Sequence, residues 1–195
     1  MKYKLTTETK QYLGRTLYRI KALKSFSNVT KGELGGYIES ESNLSQSGNA
    51  WVSGNARVYG NAEVSGNAEV YGNAEVSGNA EVYGNAEVYG DARVYGNAMV
   101  YGDAMVYGDA MVYGDAWVSF GECTTKVINI INLCEYSITA YDNYIKVGCK
   151  EFTIKEWKDL LKDNDLFLDE CKDKQSQSRL HFYITSIIQD MENIK

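Results

Sequence analysis

The chain has no proline, one histidine (His181) and no cysteine before Cys123. The missing proline has no physical reading from composition alone. The other scarcities exclude more. Cys123, Cys134, Cys149 and Cys171 include no Cys-x-x-Cys pair, and one histidine adds little, so no zinc-ligand spacing is present. No apolar run approaches the length of a membrane span, and the opening segment Met1 to Glu8 lacks the apolar core of a secretion signal. The thiols are therefore expected to be reduced, in a cytoplasmic protein with no metal, no cofactor and no membrane contact. Positive charge is scarce too. The 195 residues carry a net charge of −6, which disfavours direct nucleic-acid binding through phosphate neutralisation.

What is abundant is one sentence. From Gly48 to Ser119 the hexapeptide Gly-Asn/Asp-Ala-x-Val-Ser/Tyr recurs twelve times without insertion or deletion. A fixed short period of this kind is the mark of a parallel β-helix, in which each repeat is one strand and one corner. Ala and Val alternate around x, so both face inward and x faces out. Gly supplies positive φ at the corner, and Asn or Asp is expected to share the left-handed region and to bond locally. Three corners close a coil of 18 residues, so the repeat predicts four coils and a rod about 20 Å tall. Each buried Val contributes about 1.5–3 kcal/mol. Two degenerate repeats, Gly36 to Glu41 and Ser42 to Ser47, are read as the lead-in, with Ile38 and Leu44 in the Ala register.

Charge divides along the chain. Residues before 48 hold eight Lys/Arg against four Glu (+4), the repeat holds two Arg against nine carboxylates (−7), and the remainder carries −3. Residues 1–35 read as strands that cap one end of the helix, residues 36–121 as the helix itself, and residues 122–195 as a small α+β domain. In that last part Lys126 to Ile131, Tyr136 to Tyr141 and Tyr144 to Val147 are predicted strands, with an Asp142-Asn143 turn. Thr153 and Glu156 form a capping box opening a helix through Trp157, and a second helix is predicted over about 178–191. The acidic stretch from Asp159 to Asp173 lacks the ligand spacing of a calcium loop and reads as a solvated linker.

The Gly-Asn-Ala-x-Val array resembles the hexapeptide-repeat proteins over about residues 36–121. That resemblance implies a left-handed parallel β-helix, and its best-known members are trimeric acyltransferases. The purity of the array, its lead-in Gly35-Gly36-Tyr37-Ile38-Glu39-Ser40 and the segment Gly148-Cys149 to Glu156-Trp157 resemble small proteins encoded by phages and prophages, which mostly lack an assigned activity. An acyltransferase needs a general base and a loop to hold its acyl carrier. The repeat has neither a histidine nor an interrupting loop.

Function is sought at the outward positions. Stacking every 18 residues yields three ladders: Trp51, Glu69, Glu87, Met105; Arg57, Glu75, Arg93, Met111; and Glu63, Glu81, Met99, Trp117. Met99, Met105, Met111 and Trp117 make the last coil apolar outside as well as inside, and Tyr101, Tyr107 and Tyr113 sit at nearby corners. With Trp157, these are the candidate interface residues. The belt could be covered by the C-terminal domain, by another copy or by a foreign partner. The corner tyrosines are expected to stack in columns. The resulting expectation is a non-enzymatic, rigid, trimeric rod presenting its terminal domains to a protein of a bacterial host, with inhibition of a defence complex as one concrete form. Acyl transfer, sequestration of a small nucleotide between subunits and mimicry of DNA by the acidic rod are the alternatives.

Overall fold

The structure is a computed structural model that describes residues 1–119, 121–124, 128–133, 136–148, 150–162 and 174–193. Cys134, Cys149, Cys171 and the acidic stretch from Asp163 to Asp173 lie outside the described residues. The chain divides into two compact units, Met1–Lys126 and Val127–Lys195.

The first unit is a parallel β-solenoid. Each hexapeptide forms a strand of two residues, x and Val, such as Trp51–Val52 or Glu87–Val88. Each strand pairs in parallel with the one 18 residues on, so Glu87 meets Met105 and Val88 meets Val106. Ala and Val of every repeat are buried throughout, which fills the narrow interior with two small side chains per strand. The three ladders read from the sequence are the three faces. We refer to them as the arginine face (Arg57, Glu75, Arg93, Met111), the Trp51 face (Trp51, Glu69, Glu87, Met105) and the Trp117 face (Glu63, Glu81, Met99, Trp117).

Four expectations need correction. The corner conformation is carried by glycine alone. Every corner Gly has positive φ, whereas Leu13, Ser27 and Asp142 are the only described non-glycine residues there. The corner Asn side chains bond along the rod instead of locally: Asn49 Nδ2 donates to Asn67 Oδ1 at 3.0 Å, and Asn67 to Asn85 at 3.0 Å. An amide that both donates and accepts at every coil satisfies itself axially, so the local turn bond is not needed.

The lead-in register differs as well. Ile38 pairs with Val58 and Leu44 with Val64, so both occupy the Val register, 20 residues from their partners. The surplus of two falls before Ala50. Because strand side chains alternate with period two, the slip leaves both residues facing inward, and both are fully buried. The repeat also extends further than its motif. Glu122–Cys123 pairs with Met105–Val106 at one residue short of the period, and the buried Cys123 closes the Val column. With lead-in and final strand, each face has five levels instead of four.

At the other end, β1 (Tyr3–Tyr12), β2 (Arg15–Ala22) and β3 (Leu34–Ile38) continue the arginine-face sheet. β1 and β2 are antiparallel, β2 and β3 antiparallel, and β3 joins the Arg57 strand in parallel. Leu17, Ile20 and Ala22 are buried there. The first coil presents three alanine carbonyls at its edge, of which β3 meets one and side chains meet the other two. Ala56 O accepts from Tyr37 N at 2.9 Å, Ala62 O from Asn43 Nδ2 at 2.8 Å, and Ala50 O from Lys2 Nζ at 2.7 Å. This explains two buried polar side chains, Lys2 and Asn43. Unpaired strand edges template aggregation, and here side chains blunt the edge. Burial, with help from the Lys24 charge, lowers the Lys2 amine to about 8.

The second unit has four antiparallel strands, Ile128–Leu133, Tyr136–Tyr141, Tyr144–Val147 and Lys150–Thr153, with helices α1 (Ile154–Leu160) and α2 (Lys174–Asn193). Thr153 caps α1 in the expected box with Glu156. Ile138, Ile145, Leu180, Ile184 and Ile188 build its core around Trp157. Trp157 Nε1 donates to Ile145 O at 2.6 Å. Trp157→Phe removes that donor and leaves a void, so it is expected to destabilise this unit by about 1–3 kcal/mol. The helical far-UV circular dichroism during urea unfolding reports it, since both α-helices lie here. An unchanged midpoint would refute the anchoring role.

Candidate interaction surface

The candidate residues are dispersed around the last coils. Met99, Met105 and Met111 are each half-buried and lie on three different faces. On the Trp117 face Met99 is directly opposite Trp117, and Trp117 is 41% exposed. The tyrosines form the expected columns. Tyr71, Tyr89 and Tyr107 stack at 4.7 and 4.9 Å, Tyr83 and Tyr101 at 5.1 Å, and Tyr95 and Tyr113 at 5.5 Å. Such offset stacks at coil spacing stiffen the corners. Trp157 presents no surface. It is fully buried, edge-on to Phe152 at 5.3 Å, because its ring is the largest apolar group available to the second unit's core.

The three faces differ in how their charges are held. On the arginine face the tip of the β1–β2 hairpin folds over the ladder. Glu75 accepts from Tyr12 at 2.7 Å, from Tyr59, and from Arg57 at 3.4 Å, while Arg57 lies 4.5 Å from the Tyr12 ring centre. Burial pushes the Glu75 carboxyl up, but the Tyr59 and Tyr12 hydrogen bonds and the Arg57 charge outweigh it, and the net position is below the usual carboxylate range. On the Trp51 face the loop before β3 covers the top, with Phe26 edge-on to Trp51 at 5.5 Å. Burial first, then the neighbouring Glu87, raises Glu69, against a hydrogen bond from Asn28. Glu87 accepts from Tyr71 at 2.9 Å.

The Trp117 face is different. Glu63 and Glu81 are directly opposite each other, both exposed, and neither has a hydrogen-bond or ion-pair partner among the described residues. With Ser65 and Tyr83 they line a shallow recess. These two residues were absent from the sequence-based candidates. Their like charges were visible in the ladder, but the ladder could not say that Glu75, Glu69 and Glu87 would each gain a hydrogen-bond partner and these two would not.

His181 is half-buried on α2 of the second unit. Among the described residues no three His, Cys, Asp or Glu side chains converge as metal ligands would. No described helix is long and apolar enough to cross a membrane.

This architecture defines a β-solenoid repeat protein. A family model, the YdcK β-solenoid repeat, matches residues 50–66, 92–107 and 104–119, all within the solenoid. No curated protein matches the chain at a significant level.

Proposed function

We propose that the chain is a non-enzymatic interaction protein: a stiff left-handed solenoid that self-associates as a trimer and holds its other surfaces out to a protein partner. The observation that carries the reading is the Trp117 face. Twelve uninterrupted repeats set its outer side chains at fixed spacing, and the face changes along its length from paired glutamates to Met99 opposite a 41%-exposed Trp117. A mixed face of this kind, apolar at one end and polar at the other, has the make-up of a protein interface. The resemblance to phage-encoded solenoids supports a host protein as the eventual partner, and a bacterial defence complex fits that description.

Sedimentation velocity of the full chain tests the assembly. A trimer is expected, weakened about tenfold or more by Trp117→Ser, a truncation of an aromatic anchor. A wild type that stays monomeric at all concentrations overturns self-association. A trimer indifferent to Trp117→Ser moves the contact to another face.

A further inference from the structure

Two exposed like-charge pairs of opposite sign lie on the sheets of this unit. On the Trp117 face Glu63 and Glu81 are directly opposite in adjacent parallel strands. On the β1–β2 ribbon Lys4 and Lys21 are directly opposite in adjacent antiparallel strands. All four residues are exposed, and none has an ion-pair partner among the described residues. Like charges directly opposite each other on a sheet are unfavourable; a third such pair, Glu69 and Glu87, is half-buried, and Glu87 there accepts from Tyr71. Several other charges of the same unit do have partners: Arg19 meets Glu8 at 2.8 Å, Arg15 meets Glu39 at 2.8 Å, and Glu75 accepts from Tyr12, Tyr59 and Arg57.

We infer that these two pairs are made for each other in different copies of the chain, with Lys4 and Lys21 of one copy seated on Glu63 and Glu81 of the next. The inference rests on the self-association proposed above and adds which surfaces meet. The spacings agree, since neighbouring strands set both pairs about 5 Å apart. The signs agree, and the segments around them do as well: residues 1–47 carry +4 and the repeat carries −7. The recess between Glu63 and Glu81 ends on Ser65 and the Tyr83 ring, which offer a hydroxyl acceptor and an aromatic surface to a lysine stem and its ammonium. Within one copy each pair repels itself. Across the contact every charge gains an opposite neighbour on two sides.

Charge reversal in both directions tests this. The full chain is compared with Glu63→Lys/Glu81→Lys and with Lys4→Glu/Lys21→Glu, by sedimentation velocity at about 50 and 300 mM salt. All four positions are exposed, and far-UV circular dichroism verifies that each variant folds. Self-association is expected to weaken about tenfold or more in each double variant, and to weaken with salt in the wild type. Mixing the two variants is expected to restore association, because the basic ribbon of one then meets the acidic face of the other. Wild-type assembly unaffected by either double variant overturns this pairing while leaving self-association intact. Loss with the glutamate variant but not with the lysine variant also overturns it, and assigns the acidic pair to some other cation. A monomeric wild type overturns both readings.

Discussion

Gly84→Ala is expected to destabilise the solenoid by about 2–5 kcal/mol, and Gly108→Ala by only about 1–2 kcal/mol. The two glycines share a conformation, with φ of 74° and 67°, so an added Cβ suffers the same left-handed backbone penalty at both. They differ in what lies one coil further on. At Gly84 the new Cβ would sit 2.8 Å from Gly102 N and 3.1 Å from Gly102 O, both backbone atoms held in the ladder. At Gly108 the nearest atom is Thr124 O at 3.8 Å, an ordinary contact. The difference between the variants therefore isolates the requirement that corners stack. Urea unfolding of the two variants, followed by tyrosine fluorescence from the columns, measures it. Equal losses would show that the backbone conformation alone demands glycine and that close coil stacking contributes nothing.

The second large effect is expected at the other end of the rod. Asn43→Ala removes the amide that donates to Gly60 O at 3.0 Å and to Ala62 O at 2.8 Å, and the carbonyl that accepts from Ser40 N at 2.9 Å. Asn43 is fully buried, so water does not replace these bonds without rearrangement. With about 1–3 kcal/mol for each buried polar group left unpaired, a loss of about 2–5 kcal/mol follows. Asn43→Asp is the informative control. It keeps an acceptor for Ser40 N but turns a carboxylate toward two carbonyls, so it is expected to be at least as damaging as Ala. Hydrogen exchange at the Glu63–Val64 strand should quicken in both. A neutral Asn43→Ala would mean that the first coil needs no side-chain closure.

Both predictions turn on how coils meet, and that marks the limit of what could be read from the letters. The period of six placed every outward residue on its correct face, and the Met99–Trp117 opposition follows directly from it. Tyr71, Tyr89 and Tyr107 were legible as a column for the same reason. The Thr153–Glu156 box was legible because capping is local, needing only a hydroxyl and a carboxylate three residues apart. The Asn ladders were missed because an amide near a glycine looks like a turn former until its neighbour 18 residues away is seen. Ile38 and Leu44 were misplaced by two because nothing in the degenerate lead-in marks where the surplus falls. Trp157 was offered to a partner because a tryptophan reads alike as an anchor inside or outside.

By itself, then, the sequence determined the solenoid, its inward Ala and Val, and the composition of each outer ladder, since all of these depend on periodicity along one chain. Only the tertiary structure decided which ladder stays open. The Tyr12 tip lies over Glu75, and the loop carrying Phe26 and Asn28 lies over Trp51 and beside Glu69. These contacts join residues dozens of positions apart, and no local pattern encodes them. They supply hydrogen bonds to Glu75 and Glu69 on two faces and leave Glu63 and Glu81 exposed on the third. The physical reason is range: a repeat specifies its neighbours one coil away, whereas a covering segment is specified by the surface it reaches.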